Sequence, residues 1–465
     1  MVTSTAQSLE ALRGALRGPV LQPGSAGYDE ARGIYNGMID KRPAAVARCG
    51  DVADVIAALA FSREEGLELA VLGGGHSGSG LGLVDNGLVI DLSAMRDVRV
   101  DPDARTAVVG GGARLGDLDH AARAFGLATP AGIMSTTGVG GLTLGGGHGY
   151  LTRKYGLTID NLLEADVVLA DGSFVKASES LNDDLFWGLR GGGGNFGVVT
   201  SFTYRLHPVH TVGVGMTVWP IAQTPDVLRW YRDFLPRAER DLYGFFALLV
   251  VPPAPPFPEA IHGQKMCGIV WCYTGDLEGL DDTLAAVREP AEPAFHFAMA
   301  MPYPVLQALF DDLIPAGLQW YWRGDFFDQI TDESIAVHLE YGSDIPTPLS
   351  TMHLYPVDGA VHDVPAGNTA FAHRDAVWSG VIGGIDPDPA NAATVKDWSV
   401  SYWEALHPHS MGAGYVNFLM DEPQERVRAA YHGNYRRLLQ IKGKYDPDNV
   451  FHVNGNIRPE AGAAA

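Results

Sequence analysis

The chain is short of cysteine and short of positive charge. Only 3 of its 465 residues are cysteine: Cys49, Cys267 and Cys272. They form no C-x-x-C pair and no Cys/His cluster at zinc spacing, so no metal site is expected, and so low and odd a count builds no disulfide framework. That usage fits a reducing compartment, and a cytoplasmic location is expected. Lysine and arginine number 33 against 55 aspartates and glutamates, a formal net charge of −22. A surface of that sign repels phosphate backbones and anionic bilayers, so neither nucleic acid nor a membrane is expected as a partner. No apolar run approaches the ~20 residues that span a bilayer. The stretch from Met1 to Gly18 interleaves Glu10, Arg13 and Arg17 with short apolar pieces, unlike a secretory leader. No G-x-x-x-x-G-K-[ST] sequence occurs, which removes the P-loop reading.

Glycine, by contrast, is abundant. The 57 glycines cluster before residue 200, and hydrophobic residues make up 46% of the chain. The length holds two or three soluble globular domains, and the clustering points to many special backbone positions near a ligand. The first run is Val71-Leu72-Gly73-Gly74-Gly75-His76-Ser77-Gly78. Consecutive glycines let a backbone approach a ligand closely and turn several N–H groups toward it, as in a phosphate cradle. Such a cradle needs no imidazole, so His76 suggests a neutral nitrogen nucleophile held against a cofactor. A plain tight turn also fits these residues. A dinucleotide-binding Rossmann unit would need a helix next, but Ser79-Gly80-Leu81-Gly82-Leu83 leads into another strand.

From residue 43 onward, short apolar runs alternate with glycine turns. Asp51 is placed to cap a helix ended by Gly66, followed by a strand over Leu67–Leu72. Strands are expected at Leu88–Leu92, Ala107–Val109, Val167–Ala170 and Val198–Leu206, and a helix over Arg114–Phe125. After residue 210 glycine thins and aromatics rise. A helix beginning near Pro225, strands at Phe245–Val251, Met266–Tyr273, Thr351–Tyr355 and Tyr415–Leu419, and helices at Asp276–Arg288 and Thr331–Glu340 predict an antiparallel sheet backed by helices. Glu422–Lys442 reads as one amphipathic helix. The alanine-rich end, Ala461–Ala465, is expected to fray.

Several motifs occur together and in order. They are Gly73-Gly74-Gly75-His76-Ser77, Thr137-Gly138-Val139-Gly140-Gly141-Leu142-Thr143-Leu144-Gly145-Gly146-Gly147, Arg153-Lys154-Tyr155-Gly156-Leu157, Asp160-Asn161 and Arg190-Gly191-Gly192-Gly193-Gly194-Asn195-Phe196-Gly197. This set resembles the FAD-binding domain of the vanillyl-alcohol-oxidase superfamily, the p-cresol-methylhydroxylase (PCMH) type. Tyr415-Val416-Asn417-Phe418, Tyr445-Asp446-Pro447 and Asn454-Gly455-Asn456-Ile457 resemble the C-terminal signature of its berberine-bridge-enzyme-like branch. The resemblance covers about residues 28–459.

The resemblance implies an α+β, two-lobed flavoprotein. Residues 1–210 form the FAD lobe, 211–419 the substrate lobe, and 420–465 return to the first lobe. It implies that His76 is bonded to the 8α carbon of FAD. The cofactor-binding set is then Gly73, Gly74, Gly75, His76, Ser77, Gly78, Met134, Thr136, Thr137, Gly138, Gly140, Gly141, Gly145, Gly146, Gly147, Gly149, Tyr150, Asn161, Gly197, Val198, Val199, Asn417, Asn454 and Asn456. Some relatives carry a second bond, from cysteine to the flavin; the matching position here is Met134, so one covalent link is expected. Thr137 stands where bulk gates dioxygen in the family and is no larger than valine, which favours an oxidase over a dehydrogenase. Tyr415 and His353 are the expected catalytic side chains, Tyr415 near the flavin and His353 on a strand face shared with Thr351 and Tyr355. The alternatives are a hydrogen-bonded core tyrosine for Tyr415 and a satisfied histidine at a sheet surface for His353. The chain departs from the family pattern at His148, where an apolar or aromatic residue is usual, and at His452 and Gly455, where arginine and glutamine are.

The expected reaction is hydride removal from a substrate C–H, with electrons passed to dioxygen to give hydrogen peroxide. An alcohol or phenol of secondary metabolism is favoured. Oligosaccharide oxidation to a lactone, a dehydrogenase of the same fold and a flavin carrier without turnover remain open. A monomer or homodimer is expected.

Overall fold

Capping residues decide where the first elements of this chain begin and end. The computed structural model describes residues 2–459; the end at 461–465 lies outside them. Asp51 accepts the Asp54 N–H at the start of the helix Val52–Glu65, and Gly66 ends it in the left-handed region at φ 64°. No described helix is long and apolar enough to cross a membrane.

The first lobe holds two sheets. In one, Val20–Leu21, Ala45–Arg48, Leu88–Asp91 and Leu69–Leu72 lie side by side in that order. The first pairing is antiparallel and the others are parallel. The second sheet is antiparallel and runs Val98–Asp101, Thr106–Gly110, Val198–Arg205, Leu162–Val168, Phe174–Ser178. The C-terminal helices Gln424–Tyr431 and Tyr435–Tyr445 come back to this lobe. Their Val427, Leu438 and Ile441 share one core with Val109, Phe186 and Phe202.

The second lobe is a seven-stranded antiparallel sheet. Its order is Phe295–Pro302, Thr211–Pro220, Lys265–Tyr273, Leu242–Val250, Thr351–Pro356, Trp378–Asp386, Gln319–Phe327. Side chains alternate across it as a two-residue period demands. Phe246, Leu248, Met352 and Leu354 face a core shared with the helices Thr224–Phe234 and Ala392–Leu406. Phe245, Ala247 and Tyr355 face the opposite way, toward the first lobe. Helices and antiparallel strands together make the expected mixed α+β class.

Buried arginine pairs join the lobes, among them Arg426 with Asp325 at 2.8 Å and two that flank the segment 153–160. Arg153 Nε donates to Asp358 Oδ1 at 2.8 Å, and its other N–H groups reach the carbonyls of Leu235 (2.7 Å), Glu239 (3.1 Å) and Leu242. Arg374 forks onto Asp160 at 2.8 and 2.7 Å.

Three expected elements differ. Tyr415–Leu419 is not a strand: Val416–Phe418 is a 3-10 turn, because Tyr415 and Asn417 bond to the glycine-rich segment instead of to a sheet neighbour. The expected helix over 422–442 is broken at His432-Gly433-Asn434, where His432 has φ 41°. The amphipathic pattern runs through that break, so hydrophobic spacing could not reveal it. The helix expected at 276–288 is a short α-helix, Leu280–Ala285, between two 3-10 turns. Within the second glycine run, Val139–Gly145 is helical, which its low propensity hid.

One buried acid makes stability depend on pH. Asp119 is 4% exposed and receives Gln307 Nε2 at 3.3 Å. Burial pushes its carboxyl up to about 7. Gln307 Oε1 has no partner, so a protonated carboxyl has an acceptor beside it. A raised folded-state value means the contribution is complete below the ordinary carboxylate value and is lost as pH rises through 7. Asp119→Asn should therefore raise Tm at about pH 8, and the gain should vanish near about pH 4, as thermal melts across that range will show.

Candidate functional site

The two lobes enclose one continuous cavity of about 600 Å³. One end is mostly backbone. The turn Gly73–Ser77, the start of the helix Val139–Gly145, Gly193-Gly194 and Asn454 form it. Glycine is required at the centre: a Cβ on Gly74 would lie 2.3 Å from Gly138 Cα. That contact brings loops about sixty residues apart in sequence into one wall. Gly141 and Gly194 meet nothing within 4 Å, so their missing side chains leave room in the cavity. The Oδ1 of Asn454 is buried without a partner at this end.

His76 lies on this wall. Its Nε2 is 3.0 Å from Thr136 Oγ1, and its ring stacks on Tyr35 with centroids 4.0 Å apart and planes at 18°. Tyr35 is itself fixed by a 2.5 Å hydrogen bond to the Ile314 carbonyl. Burial, followed by the positive charge of Arg114, brings the His76 imidazole down to about 3. The ring is therefore neutral at neutral pH, and Nδ1 is the nitrogen that Thr136 leaves free. Met134 and Thr137 line the cavity nearby.

At the other end, Tyr415 Oη accepts the Gly147 N–H at 2.8 Å and Asn417 Nδ2 at 2.8 Å. Burial raises its phenol above the ordinary value of 10, with the two donors pulling weakly the other way. Tyr415 is thus a neutral phenol whose acceptor capacity is filled and whose proton is free to be donated. His353 places Nδ1 2.5 Å from Tyr355 Oη, and burial lowers it to about 4. Both His353 and Tyr355 line the cavity. His148, Ser350, Thr351 and Asn417 add polar groups, and much of the remaining lining is apolar, including Met216, Phe245, Leu249, Phe310 and Trp322. Glu422 carries the one charge on the described wall. It is paired with Arg323 at 3.0 Å and Arg426 at 2.6 Å.

Other expected site residues sit behind this wall. Tyr150 packs in the core against Tyr243, ring centroids 5.9 Å apart. Asn161 is consumed by the Tyr155 and Leu157 carbonyls and by His207. Val198 is core, a Cβ on Gly149 would meet the Ala131 carbonyl at 2.2 Å, and the Asn456 backbone carbonyl accepts from Gln424 while its side-chain Oδ1 is buried without a partner. Gly78 abuts Trp322, and Gly145 to Gly147 support Tyr415 and Asn417 from behind. Tyr35 and His148 are among the wall residues absent from the expected set. Tyr35 lies upstream of every glycine run and carries no sequence signal. His148 shows itself only as a polar residue where an apolar one is usual.

The chain matches the FAD binding domain family over residues 43–178 and the berberine and berberine-like family over 414–458. An FAD-linked oxidoreductase of Dictyostelium discoideum is 32% identical to it, covering 96% of this chain and 95% of that one. This chain belongs to the berberine-bridge-like FAD-linked oxidoreductases. The (R)-6-hydroxynicotine oxidase of Paenarthrobacter nicotinovorans is 30% identical over 96% of this chain and 98% of its own. The crystal structure of a glucooligosaccharide oxidase from Acremonium strictum, described as revealing a novel flavinylation, superimposes with a TM-score of 0.85 at 26% identity, covering 97% and 98%. The glycine turn Gly73–Ser77 and the helix Val139–Gly145 at one end of the cavity both fall within the span that matches the FAD binding domain family. The backbone donors, open glycine positions and unpaired Asn454 oxygen of that end fit a long, flat, phosphate-bearing cofactor.

The two kinds of glycine should respond oppositely to alanine. Gly74→Ala should lower stability by about 1–3 kcal/mol and reduce the flavin-to-protein ratio, because backbone cannot move aside. Gly141→Ala, in a helix and facing open space, should keep the wild-type Tm. Melts and the absorbance ratio at the flavin and protein bands measure both.

Proposed function

We propose that this oxidoreductase is an oxidase of a largely apolar, hydroxyl-bearing small molecule, with FAD tethered once, through His76. The observation that carries this reading is the single cavity: glycine backbone at one end, apolar side chains at the other, and polar side chains gathered where the two meet. Bound FAD supplies a two-electron acceptor. The chain supplies the rest. His76 is neutral and offers Nδ1 as the tethering atom, held in place by Thr136 and Tyr35. Met134 has a thioether and forms no second link. Tyr415 donates a hydrogen bond to the substrate oxygen, and the His353–Tyr355 pair borders the same space. Thr137 leaves room for dioxygen. The substrate loses a hydride from carbon and a proton from oxygen; dioxygen gains two electrons and two protons to become hydrogen peroxide.

An oligosaccharide substrate is the second reading. Trp320 and Trp322 on the wall suit a sugar face, and one similar structure is a glucooligosaccharide oxidase. A sugar ring presents hydroxyls all round, however, and most of this wall offers them no partner.

Anaerobic mixing of the holoenzyme with aromatic alcohols and with oligosaccharides separates these readings. Bleaching of the flavin band by aromatic alcohols alone is the expected result. Bleaching by oligosaccharides alone favours the second reading, and no bleaching by either class overturns the oxidase proposal. Admitting air should restore the colour and release peroxide; slow recovery marks a dehydrogenase. After acid precipitation, wild-type protein should give a yellow pellet and His76→Ala a colourless one.

A further inference from the structure

We propose that Tyr415 and His148 together read the substrate hydroxyl, Tyr415 donating to its oxygen and His148 accepting its hydrogen. The inference rests on the far end of the cavity being the substrate end, as argued above. His148 is 6% exposed, lines the cavity, and neither ring nitrogen has a hydrogen-bond partner. A buried imidazole left unpaired is costly, and such groups in native proteins point to a ligand. Its ring centroid lies 4.7 Å from that of Tyr415, 5.3 Å from Tyr355 and 5.7 Å from Phe418.

The hydrogen bonds around it assign complementary roles. Tyr415 Oη already accepts from Gly147 and Asn417, so it can only donate further. His353 has Nδ1 committed to Tyr355. Of the three, His148 alone makes no side-chain hydrogen bond. The groups facing it are Tyr415 and Phe418 from the C-terminal turn and Tyr355 from the strand, with Asn417 and His353 one hydrogen bond further out. None of these carries a full charge, and burial lowers the His148 imidazole to about 3. A neutral imidazole has one bare nitrogen to accept with and one N–H to donate. A donor and an acceptor side by side select a group that is both, and a hydroxyl is the smallest such group. An ether oxygen satisfies Tyr415 and leaves His148 unpaired.

Titration of the oxidised holoenzyme with phenol and with anisole, followed by flavin difference absorbance, tests this without turnover. The two probes share a ring and an oxygen and differ in the donated hydrogen. Wild-type protein should bind phenol about tenfold more tightly than anisole, the equivalent of one hydrogen bond. His148→Phe should bring the ratio to about one, and His148→Gln, which keeps an acceptor oxygen, should restore most of it. Tyr415→Phe should weaken both probes and leave their ratio intact, which a purely structural role for His148 would not produce. If His148→Phe fails to fold, His148→Leu gives the same reading. Equal binding of the probes by wild-type protein, or a preference that survives His148→Phe or His148→Leu, overturns the proposal. Failure of every alcohol to bleach the flavin would instead remove the oxidase reading while this contrast still reports on His148.

Discussion

Buried guanidinium groups hold this enzyme's lobes face to face. Arg153 and Asp160 lie a few residues apart in the first lobe, and their partners Asp358 and Arg374 lie in the second. The pairs are opposite in polarity, so the segment between them is fixed at both ends. Buried ion pairs contribute little net stability, because desolvation offsets attraction. Their geometry, though, is demanding, and Arg153 adds four backbone carbonyls to its carboxylate. A sheet displaced along the interface would leave those charges unpaired. The cavity exists only in the register these contacts select, since each lobe supplies one of its walls.

The cavity contrasts with the surface. The chain carries a formal charge of −22, yet the wall holds one carboxylate, which two arginines neutralise. Its remaining titratable groups, Tyr35, His76, His148, His353, Tyr355, Tyr415 and Tyr431, are all held in neutral forms by burial. A dry site with neutral donors and acceptors favours hydride chemistry, in which a stray charge or water would compete for the substrate oxygen.

Much of this was legible in the sequence, and the parts that were not share a cause. Asp51 and Gly66 mark their helix because capping is local chemistry. Thr351, His353 and Tyr355 share a face because strand periodicity is local too. Gly74 and His76 could be read as a ligand turn only together with the later glycine runs, because a plain tight turn fits the same residues. Tertiary contacts set the rest. Tyr415 sits at a 3-10 turn because its hydroxyl reaches Gly147, 268 positions earlier. Tyr35 reaches His76 from a segment with no motif. His148 stood out as a departure from the family, but its free nitrogens emerge only once Tyr415 and Tyr355 are packed around it. Tyr150, beside it in sequence, turns the opposite way into the core.

The return of the C-terminal segment has a temporal consequence. Lys442, fully buried, bonds to the carbonyls of Asn195 (2.8 Å) and Phe451 (2.9 Å) and to Asp446 (2.6 Å). This locks the third glycine run to the irregular tail, and Ile457 belongs to the core of the first lobe. A ribosome emits the first glycine turn long before these residues exist. The sheet of the second lobe can close on the nascent chain, but the cradle around His76 lacks part of its wall until the final helices emerge. Flavin capture is therefore a late event in the life of each molecule, and a truncated product would present an open groove instead of a binding site.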